Sequence, residues 1–408
     1  MTPDRAEVFG GVDTHKHVHV AAAVDAAGRL LGTAEFAADQ RGYGELAGWL
    51  GSQGVLGRVG VEGTGSYGAG LARHLAAVGV EVVEVNRPNR QTRRRRGKTD
   101  TVDAEAAARA ALSGDAAVEP KSGGGPVEAI RMLSVARRSA VKARTVAANQ
   151  LYAIVVTAPE HLKDRLGGLT TCELVKACAR LRPDDSGDPA ARAAKTTLRT
   201  LARRHRALTA ETKSLDAELL ALCERANPAL LGACGVGADT AAALLVAAGD
   251  NPQRMRTEAS FAALCGASPI EASSGPRRRH RLNRGGNRAA NNALWRIATV
   301  RLRFDQRSID YAARRSAEGK TRREIIRCLK RHIAREIYQL LIDPPQVPHG
   351  PDLRRQRNQR GLTLEDTAQA LNTWPTRISQ LERGLTHNRD LAERYQQHLT
   401  QTAILTCF

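Results

Sequence analysis

The first part of the chain alternates between strand-like and helix-like patterns of hydrophobic residues. Residues 15–24 alternate with a period of two, and residues 29–36 form a second extended run after a short turn, so this pair predicts a β-hairpin. The following apolar stretches predict, in order, a helix at 43–50, a strand at 59–62, a helix at 69–77, a strand at 80–85 and a helix at 104–112. This order is typical of an α/β domain, which we place at residues 7–117.

The rest of the chain has helical patterns. A glycine- and proline-rich hinge at residues 120–126 leads into a helical or coiled-coil region at 127–226, where arginines and lysines alternate with apolar positions. A mostly helical domain follows at 227–342, and a proline-rich linker separates it from compact helices at 351–400. The predicted fold class is therefore α/β plus all-α.

The net charge of the chain points to a class of partner. The sequence has 62 Lys and Arg against 42 Asp and Glu, a net charge of +20. Such an excess is typical of proteins that bind nucleic acid. Because aromatic residues make up only 3% of the chain, an RNA-binding sheet that stacks bases on aromatic rings is disfavoured.

Cysteine usage and hydropathy indicate where such a protein works. The seven cysteines are scattered and include no CxxC pair, which disfavours disulfides and zinc and favours a reducing intracellular environment. Residues 1–7 are charged and lack the apolar core of a signal peptide, and no apolar run is long enough to span a bilayer. We therefore expect a soluble cytoplasmic protein with no membrane partner.

Four carboxylates fall at positions where a metal site is expected in an α/β sheet. Asp100 and Asp103 share one face of the first turn of a helix, and by themselves they indicate only a helix start capped by Thr99 or Asp100. Asp13 lies near the first strand and Glu62 at the end of a central strand, where ligand sites form in open α/β sheets. Alone, Glu62 is an ordinary solvated carboxylate and Asp13 a turn residue. Together, four oxygen ligands without cysteine suit Mg²⁺ or Mn²⁺.

A run of basic residues precedes the Asp100 helix. It consists of Arg93, Arg94, Arg95, Arg96 and Lys98. Solvation alone would explain such a run, but its position beside a suspected phosphodiester site favours contact with phosphates.

A second basic run follows a serine-glycine loop. The residues after Ser273, Ser274 and Gly275 include Arg277, Arg278, Arg279, Arg281 and Arg284. By itself the loop is a common flexible turn. Beside this charge, a serine is placed to attack a phosphate, because positive groups stabilise the developing phosphorane.

Two further patterns bear on ligand binding. His15, His17 and His19 are expected to share one strand face, but residues spaced by two along a strand fan out, so we reject zinc and give His17 and His19 no role. Gly235 and Gly237 flank a turn before an apolar helix, the form of a helix-hairpin-helix element whose backbone amides hold a DNA phosphate. The same turn is also explained as a plain helix start.

The motifs that carry the four carboxylates resemble those of one transposase family. Residues 12–16, 62–68, 85–88 and 98–104 are similar in order and spacing to the motifs of the DEDD transposases of bacterial insertion sequences, the bridge-RNA-guided serine recombinases. The resemblance covers about residues 8–341. It implies an RNase H-like (RuvC-like) first domain in which Asp13, Glu62, Asp100 and Asp103 bind Mg²⁺.

The same resemblance extends to the loop with the two serines. It implies a transposase domain in which Ser274 attacks DNA and forms a covalent phosphoserine, with Ser273 as the alternative nucleophile. The family's Gly-Asn corresponds to Gly286 and Asn287, but its following Leu-Arg is replaced by Ala-Asn at residues 290–291. That departure leaves positions 290–291 without an assigned role.

The resemblance also implies partners that the residues alone do not reveal. These are donor and target DNA, a structured noncoding bridge RNA that selects both DNAs by base pairing, and further copies of the chain in a homo-oligomer (dimer or tetramer). Serine and acidic domains would then meet across subunits. The implied location is the bacterial cytoplasm, in association with the nucleoid.

The C-terminal helices depart from that family and resemble another. Residues 362–384 are similar to Cro/repressor-type helix-turn-helix domains, whose second helix enters a DNA groove. Thr376, Arg377 and Gln380 would face the DNA. A packing or oligomerisation module is the alternative interpretation of this segment.

The sequence therefore predicts a recombinase that excises and inserts its own mobile element. Two alternatives remain open. One is a metal-dependent endonuclease that cuts DNA junctions of the Holliday type, with Ser274 structural. The other is a non-enzymatic DNA-binding regulator built on the C-terminal helices.

Overall fold

The protein has two compact units, which a computed structural model describes over residues 6–85, 99–114, 118–183, 188–275 and 280–405. The first unit contains Met1–Gly125 together with Ala248–Arg256, and the second contains Pro126–Ala247 together with Thr257–Phe408. The division into four domains that the sequence suggested stays a prediction.

The first unit is built on a mixed five-stranded sheet in the order β3-β2-β1-β4-β5. Strands β1 to β3 are antiparallel neighbours, whereas β1, β4 and β5 run parallel. The strands are β1 (Glu7–Thr14), β2 (Val18–Asp25), β3 (Leu30–Ala37), β4 (Val55–Glu62) and β5 (Glu81–Val85), and the helices are α1 (Gln40–Gln53), α2 (Ala69–Ala77) and α3 (Asp100–Ser113). This arrangement confirms the RNase H-like sheet that the resemblance implied.

The central strand β1 is one that the hydrophobic pattern missed. The predicted hairpin starts at residue 15, and the paired glycines Gly10 and Gly11 weaken a strand prediction for the residues before it. In the structure, Gly11 lies under helix α3, and a methyl group on it would come within 2.0 Å of the backbone nitrogen of Ala108. Glycine is therefore required there by the close approach of the helix, not by a turn.

The expected face of three histidines is also wrong. Strand β2 begins at Val18, so His15 and His17 lie in the tight turn before it and only His19 belongs to a strand. The turn is closed by a hydrogen bond from the His15 N–H to the Val18 carbonyl oxygen, 3.2 Å long. Because this turn replaces a continuous strand, the three histidines do not share one strand face.

Helices cover both faces of the sheet. On one face the leucines of α1 and α2, among them Leu46, Leu50, Leu71 and Leu75, form a core with the valines of β1 and β4. On the other face, helix α3 packs with buried alanines against β1, β2 and β4. Because these side chains are small, the α3 backbone approaches the sheet closely, and its N-terminus is held near the carboxyl ends of β1 and β4.

Two long helices run antiparallel in the second unit. They are α4 (Pro126–Thr157) and α7 (Pro189–Ala226), joined through the shorter α5 (Glu160–Leu166) and α6 (Thr171–Ala179). Leu151 shares a buried core with Leu198, and farther along the pair Arg137 contacts Asp216, so the residue numbers run in opposite directions. A helical region was predicted here, and the structure agrees.

The rest of the second unit is helical apart from one hairpin. The helices are α8 (Pro228–Leu231), α9 (Ala238–Ala248), α10 (Glu258–Leu264), α11 (Arg288–Phe304), α12 (Gln306–Ala317) and α13 (Arg322–Ile342). Between α10 and α11, strands β6 (Ile270–Glu271) and β7 (His280–Arg281) pair antiparallel. Among the described helices, none combines the length and apolar character needed to cross a bilayer.

Four helices at the C-terminus share a core of their own. They are α14 (Gly350–Gln359), α15 (Leu364–Ala370), α16 (Pro375–Glu382) and α17 (Arg389–Leu405). Inside this core, Arg357 donates two hydrogen bonds to the Glu382 carboxylate, at 2.7 and 3.1 Å, and the Tyr395 hydroxyl donates a third at 2.7 Å. Because Glu382 is 4% exposed, these bonds compensate a buried charge and fix α16 against its neighbours.

The one histidine of β2 is buried in an apolar setting. His19 has no exposed surface and stacks on the Tyr43 ring, with ring centroids 5.6 Å apart. Burial lowers its pKa below the usual value of 6.5, an effect that the nearby Val18 carbonyl only partly offsets. The folded protein therefore holds this ring neutral.

This burial predicts a pH dependence of stability. Below pH 6.5 residue 19 of the unfolded chain binds a proton, whereas in the folded chain its lowered pKa keeps it neutral to a lower pH. The free energy of unfolding of the first unit should then fall as the pH drops, by at most about 1.4 kcal/mol per pH unit. His19→Phe should remove this component. Urea unfolding followed through Trp49, with Trp295 and Trp374 replaced by Phe, measures it. The exposed His17→Gln serves as control, and equal pH dependence in His19→Phe and wild type would refute the assignment.

Candidate active site

Strand alternation places two predicted ligands on the same face of the sheet. Gly11 and Gly60 both lie under α3, since a methyl group on Gly60 would come within 2.5 Å of the Ala107 carbonyl oxygen. Side chains two residues apart on a strand share a face, so Asp13 and Glu62 point toward α3 as well. Val12 pairs with Val61, which sets Asp13 and Glu62 side by side at the ends of β1 and β4.

The start of α3 supplies the other two carboxylates. The Thr99 hydroxyl accepts a hydrogen bond from the Val102 N–H at 3.3 Å, which confirms Thr99 as the N-cap. Asp100 is then the first residue of the helix, and Asp103 lies on the same face, 3% exposed. Negative charge at this position is favoured by the helix dipole, which offsets part of the cost of crowding these acids.

One histidine joins this cluster. The His15 Nε2 atom lies 3.3 Å from an Asp13 carboxylate oxygen and 3.3 Å from an Asp100 carboxylate oxygen. Ligand atoms of Asp13, His15 and Asp100 all lie within 4.8 Å of one another. Sequence reasoning assigned His15 no ligand role, although it stands two residues after Asp13. The tight turn that aims it back at the strand end has no hydrophobic signature.

The electrostatics of the cluster favour a cation. Burial raises the pKa of Asp13, and the negative charges of Asp103 and Asp100 raise it further, while His15 opposes them. Such crowding is relieved when a divalent cation binds. Carboxylate oxygens suit Mg²⁺ and Mn²⁺, and an imidazole nitrogen is a common additional metal ligand, so the donor set fits a divalent metal.

The four predicted ligands are not equally close. Asp13 and Asp100 belong to the compact set with His15. Glu62 and Asp103 lie on the same side of the sheet, Glu62 at the end of the adjacent strand and Asp103 one helical turn after Asp100. The basic run at Arg93, Arg94, Arg95, Arg96 and Lys98 lies outside the described residues.

The predicted nucleophile lies on the exposed hairpin of the second unit. Ile270 pairs with Arg281 and Glu271 with His280, and the segment between them carries Ser274 in an exposed position. Gly275 has φ of 57°, a left-handed conformation that strains a residue with a side chain. Glycine therefore allows the chain to turn directly after Ser274. Arg281 and Arg284 are exposed nearby, and Arg277, Arg278 and Arg279 fall outside the described residues.

A side chain without an assigned role anchors the base of this hairpin. The Asn291 amide donates hydrogen bonds to the carbonyl oxygens of Cys265 and Gly266, at 2.7 and 3.1 Å. Its own oxygen accepts a hydrogen bond of 2.8 Å from Lys330. Asn291 is one of the positions where the sequence departs from the family motif, and the structure gives it a part in holding the loop. No signal in a single sequence reveals these partners.

Family models match both of the regions just described. Residues 10–158 match a model of the DEDD transposase of IS110, and residues 228–313 match a model of the transposase IS116/IS110/IS902 family. Together these segments cover more than half of the chain. The chain belongs to the IS110 family of transposases. Members of this family are DNA-processing enzymes, and the first matched segment contains the acidic cluster, which is consistent with a divalent metal.

A protein from Streptomyces coelicolor is similar to part of the chain. It is described as an uncharacterized 43.6 kDa protein of insertion element IS110 and is 32% identical over 150 residues. The alignment covers 35% of this chain and 37% of the relative. The chain thus matches the curated relative over little more than a third of its length. Helices α14 to α17 lie outside both segments that match the IS110 family models.

The glycine turn before α9 has an internal explanation in this IS110-family chain. The Gly237 N–H donates a hydrogen bond to the Thr240 hydroxyl, which in turn donates to the Gly237 carbonyl, both at 2.9 Å. Gly235 has φ of 80° and packs against the Ile297 carbonyl of α11. These contacts account for a helix start, and phosphate binding at Gly235 and Gly237 stays a prediction.

The acidic cluster predicts how stability responds to metal. Mg²⁺ or Mn²⁺ should raise the free energy of unfolding of wild type, by about 2.7 kcal/mol at a concentration 100 times the dissociation constant. Asp13→Asn should lose that gain, yet be no less stable than wild type without metal, since it removes a buried charge among like charges. Denaturant titrations with and without metal measure both effects.

The matched control is Glu35→Gln, which removes an exposed carboxylate from strand β3 of the same sheet. It should keep the full stabilisation by metal. Stabilisation of Asp13→Asn equal to that of wild type would show that the metal binds elsewhere.

Proposed function

We propose that this protein is the transposase of an insertion sequence, a site-specific recombinase that cuts and rejoins DNA through a phosphoserine on Ser274. The observation that carries the proposal is the convergence of Asp13 and Asp100 beside His15 at the carboxyl edge of the sheet. A cluster of this kind on an RNase H-like sheet is suited to handling a phosphodiester. The match of the second unit to the IS110 family supports a second reacting group there.

In this proposal the acidic residues hold a divalent cation near the scissile phosphate. Asp13, Glu62, Asp100 and Asp103 are the proposed ligands, and Mg²⁺, or Mn²⁺ in its place, is the proposed ion. When bound there, the ion would supply positive charge that stabilises the negative charge developing on the phosphate during the reaction. His15 lies against two of these carboxylates and orients them, since its Nε2 is 3.3 Å from each.

The serine step exchanges one phosphoester for another. The Ser274 oxygen forms a bond to phosphorus, and the bond from phosphorus to a sugar oxygen of the adjoining nucleotide breaks. The serine loses its proton to solvent and the departing sugar oxygen takes one up. In the reverse step, the hydroxyl of a different DNA end attacks the phosphoserine and releases Ser274. No bond energy is lost to water, so rejoining needs no ATP.

Several features fit the nucleic acids that such a recombinase handles. Arg281 and Arg284 are exposed beside the serine hairpin, and the basic side chains of α4 add positive charge within the same unit. We propose donor and target DNA as substrates, and a noncoding bridge RNA as the guide that pairs with both. The assignment of serine and acidic residues to separate units favours a homo-oligomer in which different subunits complete each other's site.

The C-terminal helices suit recognition of duplex DNA. Helix α15 and helix α16 follow each other across a short turn, and Thr376, Arg377 and Gln380 are all exposed on α16. The Arg357–Glu382 pair fixes the buried side of α16, so the exposed side is presented rigidly. We propose that these three residues contact bases or phosphates in a groove.

A second candidate function is a metal-dependent endonuclease that cuts DNA junctions. The acidic cluster alone favours it, because a metal held by carboxylates can promote hydrolysis without any covalent intermediate. In that case Ser274 has no role in the chemistry. The third reading, a non-enzymatic regulator, requires that Asp13 and Asp100 can be replaced without loss of function.

The covalent intermediate provides the decisive test. Wild type incubated with Mg²⁺, labelled DNA of the element's ends and the RNA that co-purifies with the chain should give a protein–DNA adduct on a denaturing gel. Ser274→Ala should lose the adduct and strand exchange, by on the order of 10³-fold or more, because the attacking oxygen is absent. Ser273→Ala is the matched control and should retain both.

The outcomes separate the three functions. Adduct formation by Ser274→Ala would overturn the assignment of the nucleophile. Cleavage by Ser274→Ala without any adduct in wild type would establish the endonuclease instead. Unimpaired function of Asp13→Asn and Asp100→Asn would leave only the regulator.

A separate prediction concerns helix α16. Arg377→Ala should weaken binding to the DNA sequence that the C-terminal helices recognise by about 1–3 kcal/mol, because it removes a base or phosphate contact. Arg354→Ala, an exposed arginine of α14, should bind as wild type does. Electrophoretic mobility shifts of the full chain on fragments of the element measure this. Equal affinities for both variants and wild type would favour a packing or oligomerisation module.

A further inference from the structure

A cavity lies at the base of the serine hairpin. Its volume is about 580 Å³, a size typical of sites for small organic ligands. Pro269, just before β6, and Leu282, just after β7, form one side, and residues of α12 and α13 form the other. The cavity is thus built from the two chain segments that carry the hairpin, together with the helices behind it.

One wall of this cavity contains a buried ammonium group. Lys330 is 8% exposed, and its Nζ donates a hydrogen bond of 2.8 Å to the Asn291 side-chain oxygen. Within the described part of the chain it forms no ion pair with a carboxylate. Burial lowers the pKa of Lys330, which reflects the cost of this charge in the folded protein. A buried amine with a single neutral acceptor is a position where an anionic ligand would compensate the charge.

The neighbouring cations indicate the same kind of partner. Arg331 already pairs with Glu258 at 2.8 Å, so its charge is compensated. Arg284 and Arg327 also line the cavity, are exposed, and have no ion pair among the described residues. Three positive groups without an ion pair among the described residues surround one cavity and suit a phosphate, which accepts several charge-assisted hydrogen bonds at once.

Aromatic and apolar side chains complete the lining. The rings of Tyr311 and His332 meet edge to face with centroids 5.5 Å apart, and both line the cavity. Pro269 and Leu282 add apolar surface. A nucleotide matches this lining. Its flat base packs on aromatic and apolar surfaces, and its negatively charged phosphate binds the cations.

We propose that this cavity receives one nucleotide turned out of a DNA strand next to the serine hairpin. Lys330 and Arg327 bind its phosphate, and the base packs against Tyr311. The choice of a DNA strand rests on the proposed function, in which Ser274 attacks DNA. Pro269 lies five residues before Ser274, a distance of at most about 18 Å, so the nucleotide is within about five positions of the attacked phosphate.

Turning a nucleotide into this cavity has two consequences for recombination. It unstacks the strand beside the bond to be cut. Unstacking costs least energy at weakly paired positions, so the protein would prefer such sequences near the cut bond. It also fixes the strand relative to Ser274, because Pro269 and Leu282 line the cavity and directly adjoin the two strands of the hairpin. Both consequences concern positioning, whereas the covalent step belongs to the serine.

The test is a binding measurement that needs no cleavage. A short DNA duplex with one unpaired nucleotide and the same duplex fully paired are titrated with the full chain carrying Ser274→Ala, without metal. The background variant should bind the bulged duplex roughly tenfold more tightly, since the bulge removes the cost of unstacking. Lys330→Met, added to this background, should lose that preference and reduce the salt dependence of binding by about one counterion.

Matched variants make the result specific. Lys330→Met keeps the length of the side chain and removes a buried charge together with its hydrogen bond to Asn291; because these two effects oppose each other, its melting temperature should change little. Arg327→Ala changes an exposed position and should fold normally even if Lys330→Met does not. It should lower the preference for the bulged duplex several-fold. Lys320→Met, at an exposed position outside the cavity, should leave the preference unchanged.

Each outcome bears on the proposal. Equal affinity for the bulged and the paired duplex, or a preference that survives in both Lys330→Met and Arg327→Ala, overturns it. Preference for a bulged RNA duplex over the DNA one overturns it in favour of an RNA strand. Because no adduct is required, loss of the preference in Lys330→Met supports the cavity even where the Ser274 adduct is never found, so the two proposals fail separately.

Discussion

The contact on which the first unit depends is the close approach of helix α3 to strands β1 and β4. Gly11 and Gly60 make it possible, because any side chain there would collide with the helix backbone at 2.0 and 2.5 Å. The buried alanines of α3 complete the same contact. Its effect reaches the site: two residues beyond each glycine stand Asp13 and Glu62, and the start of the helix places Asp100 beside them.

This arrangement stores electrostatic repulsion in the folded state. Asp13 is buried among like charges, and its pKa is raised as a result. Packing of α3 on the sheet is what keeps the carboxylates together in spite of that repulsion, since the buried alanines contact the strands from Ala104, directly after Asp103, to Ala111. A rigid hydrophobic layer under a cluster of like charges is how a protein prepares a cation site before the cation arrives.

Sequence reasoning succeeded where a pattern has one physical cause and failed where two compete. The parallel strands β4 and β5 were recognised because buried strands have apolar runs. The start of α3 was recognised too, with its cap left open between Thr99 and Asp100, and the structure assigns the cap to Thr99. Strand β1 was missed because helix contact required the glycines that otherwise signal a turn. His15 and Asn291 were missed because their partners come from a turn geometry and from distant chain segments, which periodicity does not encode.

Two sites of opposite charge follow the same physical rule in this protein. At the sheet edge, carboxylates are crowded beyond what His15 alone can compensate, and at the hairpin base Lys330 is buried with a neutral amide as its hydrogen-bond acceptor. Each imbalance reduces the stability of the protein alone and is removed when a ligand of opposite charge binds. In the function proposed above, a nucleic acid strand and a divalent cation would supply these ligands. The unfavourable charges would then become affinity for one kind of substrate, which would explain why the fold tolerates them.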